Sequence, residues 1–203
     1  MKKAHVFKYS QVILTKRELA IIKFSEYSGL SIPDIATIAI NEEKQNGVID
    51  QYKTGKITTE EFRTEMNELI EKAGGTPITN LETFDKCWNA MCKVEPEKLA
   101  ELYNLQQPQK HNFHIHIVGG TNELQHSYIQ QEIQKAPKQP NISYTLSYEL
   151  GTLDEKKLKH YTESVLTAQN YEPVWHTDNQ QNYEQNALEI LGKHYNHTII
   201  DII

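Results

Sequence analysis

The chain has 203 residues, 24% of them charged and 38% hydrophobic, with a formal net charge of −6. That length supports one good core and an inserted subdomain. The negative balance argues against non-specific nucleic-acid binding, and no apolar run is long enough to span a bilayer.

The opening MKKAHVFKYS carries a lysine pair after Met1 but lacks a sustained apolar stretch, so no signal peptide is expected. Within it, AHVFK (4–8) reads as a strand, and VILT (12–15) as a second extended piece. From Lys16 the period becomes helical and stops at Gly29. Ser31 is placed to cap a helix with Pro33 in its first turn, and Gly55 marks a turn. Thr58 or Thr59 can cap EEFRTEMNELIEKAGG, which ends at Gly74-Gly75. LETFDKCWNAMCK (81–93) reads as a helix with Leu81, Phe84, Trp88 and Met91 in one stripe, most simply core. On that reading Cys87 and Cys92 sit i, i+5 on one helix, unsuited to a disulfide, and two cysteines make no zinc site. A reducing, cytoplasmic setting is the default, with export by a dedicated secretion machine left open.

One more helix is expected over 94–105. Beyond it the pattern alternates: strands at 113–118, 142–147, 173–177 and 197–203, with helices at 122–135, 154–169 and 181–193. Strands alternating with helices predict an α/β fold with a parallel sheet. The helical stretch 16–92 interrupts the alternation after the first strand. The expected organisation is a Rossmann-like core of residues 1–15 and 93–203, with an α-helical cap of residues 16–92 inserted.

Five segments carry a family resemblance. QYKTGKITTEEF places Tyr52, Gly55, Ile57 and Phe62, and FDKCWNA places Phe84, Trp88 and Asn89, as two cap patterns. In the core they are GGTNELQHSYI (119–129), with SYELG (147–151), and VWHTDNQQNYEQNALEILG (174–192). In this order they resemble the haloacid-dehalogenase-like (HAD) hydrolase superfamily, nearest to its helical-cap phosphatases of sugar phosphates and similar small phosphoesters. The resemblance covers nearly the whole chain.

The resemblance implies an aspartate nucleophile at the end of the first strand and magnesium as cofactor. Here FKYSQV puts Lys8 at the nucleophile position and Ser10 at that of the acid/base aspartate. Gly119 stands for the phosphate-binding hydroxyl, Asp154 for the third-motif lysine, and Thr177-Asp178 for an acidic pair. The reaction that the resemblance implies needs a carboxylate to attack phosphorus, and magnesium needs hard oxygen ligands; Lys8 offers neither. The expectation is therefore a catalytically inactive pseudo-hydrolase with no cofactor, acting as a binding or scaffolding module. An unknown protein or small molecule would bind in the cap–core cleft, through Lys8, Gly119, Gly120, Thr121, Asn122, Asp178 and Asn182. Neither nucleic acid nor membrane is expected as a partner. The reciprocal exchange of charge predicts that Lys8 pairs with Asp154, Asp178 or both.

Three alternatives stay open. One is a divergent magnesium-dependent phosphatase of small phosphoesters. Another is a metal held by His114 and His116, which share a strand face; ordinary hydrogen-bonded histidines are the plainer reading. The third is residual anion binding at the helix start after Gly119-Gly120-Thr121, against a plain tight connection.

Overall fold

In the computed structural model the described residues are 2–8, 13–94, 113–135, 142–150, 171–178 and 198–202. The strands β1 (Lys2–Lys8), β4 (Phe113–Thr121), β5 (Ile142–Leu150), β6 (Tyr171–Asp178) and β7 (Thr198–Ile202) form one sheet in the order β5-β4-β1-β6-β7. β1 runs parallel to β4, from Ala4 opposite His114 to Lys8 opposite Val118. On its other side it runs parallel to β6, from Lys2 opposite Tyr171 to Val6 opposite Trp175. β6 and β7 are also parallel. Parallel sheets are covered on both faces, so their strands bury consecutive residues. Val6 with Phe7, and Ile115 with His116 and Ile117, are all at most 2% exposed. The expected α/β parallel sheet is present.

The chain divides into two compact units. One is Met1–Ile13, Glu95–Gly120 and Lys135–Ile203; the other is Leu14–Val94 and Thr121–Gln134. The second holds helices α1 (Arg17–Ser28), α2 (Ile32–Glu42), α3 (Val48–Lys53), α4 (Thr59–Lys72) and α5 (Leu81–Asn89), and all but the last residue of α6 (Glu123–Lys135). Near the ends of its first segment β2 (Ile13–Thr15) and β3 (Cys92–Val94) form a two-stranded ladder.

Local chemistry sets the helix boundaries. α1 stops because Gly29 takes a left-handed φ of 74°, which lets its N–H bond Ser25 O. Ser31 Oγ accepts the Asp34 N–H, with Pro33 in the first turn of α2. Thr58 and Glu61 form a reciprocal capping box that starts α4. Asn80 Oδ1 accepts the Thr83 N–H at the start of α5.

The centre of this unit is aromatic. Phe62 stacks on Tyr52 with ring centroids 4.2 Å apart and meets Trp88 edge-on at 4.7 Å and Phe84 at 5.8 Å. Phe24 meets Phe84 edge-on at 5.2 Å. Phe62 and Phe84 are fully buried, each worth about 1.5–3 kcal/mol of apolar burial. Tyr52 and Phe62 of one cap pattern thus pack against Phe84 and Trp88 of the other as core. Arg63 on α4 clamps Asp85 on α5 through two bonds of 2.9 and 2.7 Å.

Three local readings differ from expectation. The helix written over 81–93 ends at Asn89, and Cys92 lies on β3, because Met91 O is taken by the Lys16 N–H and the following residues pair with β2. Leu81, at the first turn of α5, is 60% exposed and outside the buried stripe. The helix α3 was not expected: at six residues it shows less than two turns of periodicity, and its cap, Gly47, offers no side chain. The expected helices over 94–105, 154–169 and 181–193 lie outside the described residues, save Val94, which is in β3.

Candidate functional site

Numbered in sheet order along the chain, the five strands read 3-2-1-4-5. Strand order reverses between β1 and β6, and open α/β sheets bind ligands beyond the carboxyl ends of the strands at such a switch point. The residues that reach this edge are Lys8 on β1, Thr177 and Asp178 on β6, and Gly119 and Gly120 on β4. Lys8 lies two residues beyond Val6, and Thr177 two beyond Trp175, its partner in the ladder. The sheet therefore brings five of the expected positions, Lys8, Gly119, Gly120, Thr177 and Asp178, to one edge. The side chains of Lys8, Thr177 and Asp178, together with Ser10, Asp154 and Asn182, lie outside the described residues. So does the expected ion pair of Lys8 with Asp154 or Asp178.

The expected turn at Gly119-Gly120-Thr121 is instead the last three residues of β4. The connection shrinks to one residue, Asn122, which caps α6. Asn122 is 1% exposed. Its Oδ1 accepts the Trp88 indole N–H at 3.3 Å and the Gln125 N–H at 3.1 Å. Because an indole N–H only donates, this fixes which amide atom faces Trp88. Nδ2 then donates to Gln125 Oε1 at 2.9 Å, and Thr121 Oγ1 donates to the same oxygen at 2.9 Å.

A second chain of bonds crosses from α6 to the other helices. The Leu124 N–H donates to the Tyr52 hydroxyl at 3.3 Å. Tyr52 and Thr59 hydroxyls are 3.1 Å apart, and Thr59 Oγ1 donates its single proton to Glu123 Oε2 at 2.5 Å. Tyr52 must therefore donate to Thr59, which gives a directional relay from Leu124 N–H through two hydroxyls to a carboxylate. Burial raises the Tyr52 hydroxyl above its ordinary pKa, opposed by the N–H bond it accepts from Leu124.

Two N–H groups of the first turn of α6 are thus engaged by the protein's own side chains, and Glu123 adds a negative charge there. Both features suit the positive end of a helix, and both compete with an incoming anion. The residues missed from sequence are Tyr52, Trp88 and Gln125 in this role. Tyr52 and Trp88 had stood out only as pattern residues, with no local signal that they meet Leu124 and Asn122.

His116 is fully buried in β4. Among the described residues no group of three or more His, Cys, Asp or Glu side chains is placed to hold a metal ion. Nor is any described helix long and apolar enough to cross a membrane. Burial raises the Cys87 thiol to about 11 and the Cys92 thiol to about 12, so neither is a ready nucleophile.

No family model matches the sequence, and no curated protein matches it. Among solved structures the chain is similar to a HAD family enzyme from Bacteroides thetaiotaomicron, an aspartate-to-alanine variant in complex with magnesium and inorganic phosphate. The match covers 100% of this chain and 95% of that one, with a TM-score of 0.62 and 16% identity. Strand order, parallel registers and this likeness agree: the protein has a HAD-like α/β fold.

Proposed function

We propose that this HAD-fold protein has lost hydrolase chemistry and serves as a cytoplasmic binding or scaffolding module, with residues 16–92 as its cap. The observation that carries the reading is the residue at the carboxyl end of β1, beside the switch point: Lys8. An ammonium there cannot attack phosphorus as a carboxylate does. It also disfavours a divalent cation. Magnesium takes hard oxygen donors, usually including carboxylates; the residues reaching this edge on β1 and β6 supply one carboxylate, Asp178, and one cation. That donor set does not fit the ion bound in the Bacteroides enzyme. The commitment of the Leu124 and Gln125 N–H groups to Tyr52 and Asn122 supports the same reading.

The test is hydrolysis of an aryl phosphate and of sugar phosphates by the purified chain with magnesium. The expected rate is background, unchanged by Asp178→Asn. Loss of a single catalytic group typically costs several orders of magnitude, so a genuine hydrolase is easily told apart. The second reading is a divergent magnesium-dependent phosphatase. Asp178 at the switch point favours it, and turnover abolished by Asp178→Asn would establish it.

A further inference from the structure

The helical unit contains an apolar cavity of about 140 Å³, lined by residues of α1 to α5 that include Ile21, Ile35, Ile38, Met66, Ile70 and Trp88. A dry, apolar cavity of about 150 Å³ is large enough to take a benzene-sized guest. The lining offers no hydrogen-bonding surface that would hold several waters, apart from two charged residues, Arg17 and Glu43. These are joined by an ion pair of 2.7 Å. Ile40 also lines the cavity and is 64% exposed, so the opening lies at the C-terminal end of α2, where Glu43 follows.

The charges at this opening are not balanced. Glu43 Oε2 meets Arg17, while Glu43 Oε1 meets Lys53 at 2.5 Å. One carboxylate serves two cations, which leaves an excess positive charge beside an apolar chamber. The Arg17 side chain is 66% exposed and can turn toward a guest while Glu43 keeps Lys53. Arg is also the side chain whose planar fork best matches a carboxylate. The helix above the chamber is loosely committed: α2 buries only Ile35, and Ile32 is 51% exposed.

We propose that this chamber is a binding site for a small carboxylate with an apolar body of about one ring, the ring held among the isoleucines and Trp88 and the carboxylate paired with Arg17. The site is independent of the sheet edge and of whether the chain hydrolyses anything.

Benzoate is the probe, and methionine methyl NMR of the full chain is the readout. The chain has three methionines, and two of them, Met66 and Met91, line the chamber. Benzoate is expected to shift both signals saturably with one-site behaviour. Arg17→Gln, a change at an exposed side chain, should weaken benzoate about tenfold and leave neutral benzyl alcohol within about twofold, as expected for loss of a charge-assisted pair. Ala39→Leu, which fills the chamber, should abolish both. Absent or unsaturable shifts in the wild-type chain would overturn the proposal. So would equal benzoate affinity in Arg17→Gln, or methyl shifts that depend on protein concentration without benzoate, since those would mark an interface between copies.

Discussion

Asn122→Ala tests the network at the start of α6 most directly. The substitution removes the cap that accepts the Gln125 N–H, a loss of about 1 kcal/mol. It also strands the indole N–H of Trp88, which is 3% exposed and has Asn122 Oδ1 as its acceptor. A buried donor left unmade costs about 1–3 kcal/mol. The expected destabilisation is about 2–4 kcal/mol in all. With a urea m-value of about 2 kcal/mol/M, the midpoint should fall by about 1–2 M, read by tryptophan fluorescence and far-ultraviolet circular dichroism together. Trp88→Phe supplies the internal control, because without the indole donor there is nothing for Asn122 to satisfy on that side. Trp88→Phe should therefore cost at least about 1 kcal/mol less in the Asn122→Ala background than in the wild type. A loss below about 0.5 kcal/mol for Asn122→Ala, or the same cost for Trp88→Phe in both backgrounds, would refute the reasoning.

Gly47→Ala should destabilise by about 2–3 kcal/mol, the upper part of the overpacking range, because its Cβ would lie 2.4 Å from the Glu42 carbonyl oxygen, a backbone atom that cannot swing aside; an unchanged melting temperature would count against the turn geometry. The thiols of Cys87 and Cys92 should resist a disulfide reagent at pH 8 and react in denaturant. Their folded values lie above the ordinary thiol value of 9.0, at about 11 and 12. The unfolded chain thus releases those protons first, and stability should fall as pH rises from about 9 toward 12, a slope that Cys92→Ala should reduce. Asp85→Asn should lower stability by about 1–3 kcal/mol, since it breaks the two-bond clamp from the partly buried Arg63; Arg63→Met combined with it should add little further loss in the same melts.

Features governed by a few consecutive residues were legible in the sequence. The caps at Ser31 and Thr58, the stop at Gly29 and the strands β1, β4 and β6 all follow from side chains within three or four positions of the boundary. The parallel α/β sheet was legible too, because buried apolar strands alternated with helical periods. What needed distant partners was not. The end of α5 depends on Met91 meeting Lys16, and no window of sequence around Met91 carries that information. The same holds for Trp88 meeting Asn122, and for Tyr52 meeting Leu124. Gly119 and Gly120 carried a strong local signal for a turn, yet β4 runs through both to Thr121. At the candidate site, the meeting of Lys8 and Asp178 at one edge was expected from the family resemblance and not from any local pattern, because β1 and β6 are far apart in the chain. The apolar chamber beneath α2 left no trace at all, since its lining residues read individually as ordinary core.

The ladder of β2 and β3 holds the first and last strands of the helical excursion side by side, with Lys16 N–H on Met91 O at 2.7 Å. Adjacent strands lie only about 4.8 Å apart, so a short linker could join residue 94 back to residue 13 and make a closed ring without stretching the backbone. The same spacing makes this place a natural graft point. A shorter, longer or foreign run of helices spliced between the two strands would leave the severed ends meeting at the original gap, but it would have to supply new partners for Asn122 and Leu124, which now bond Trp88 and Tyr52.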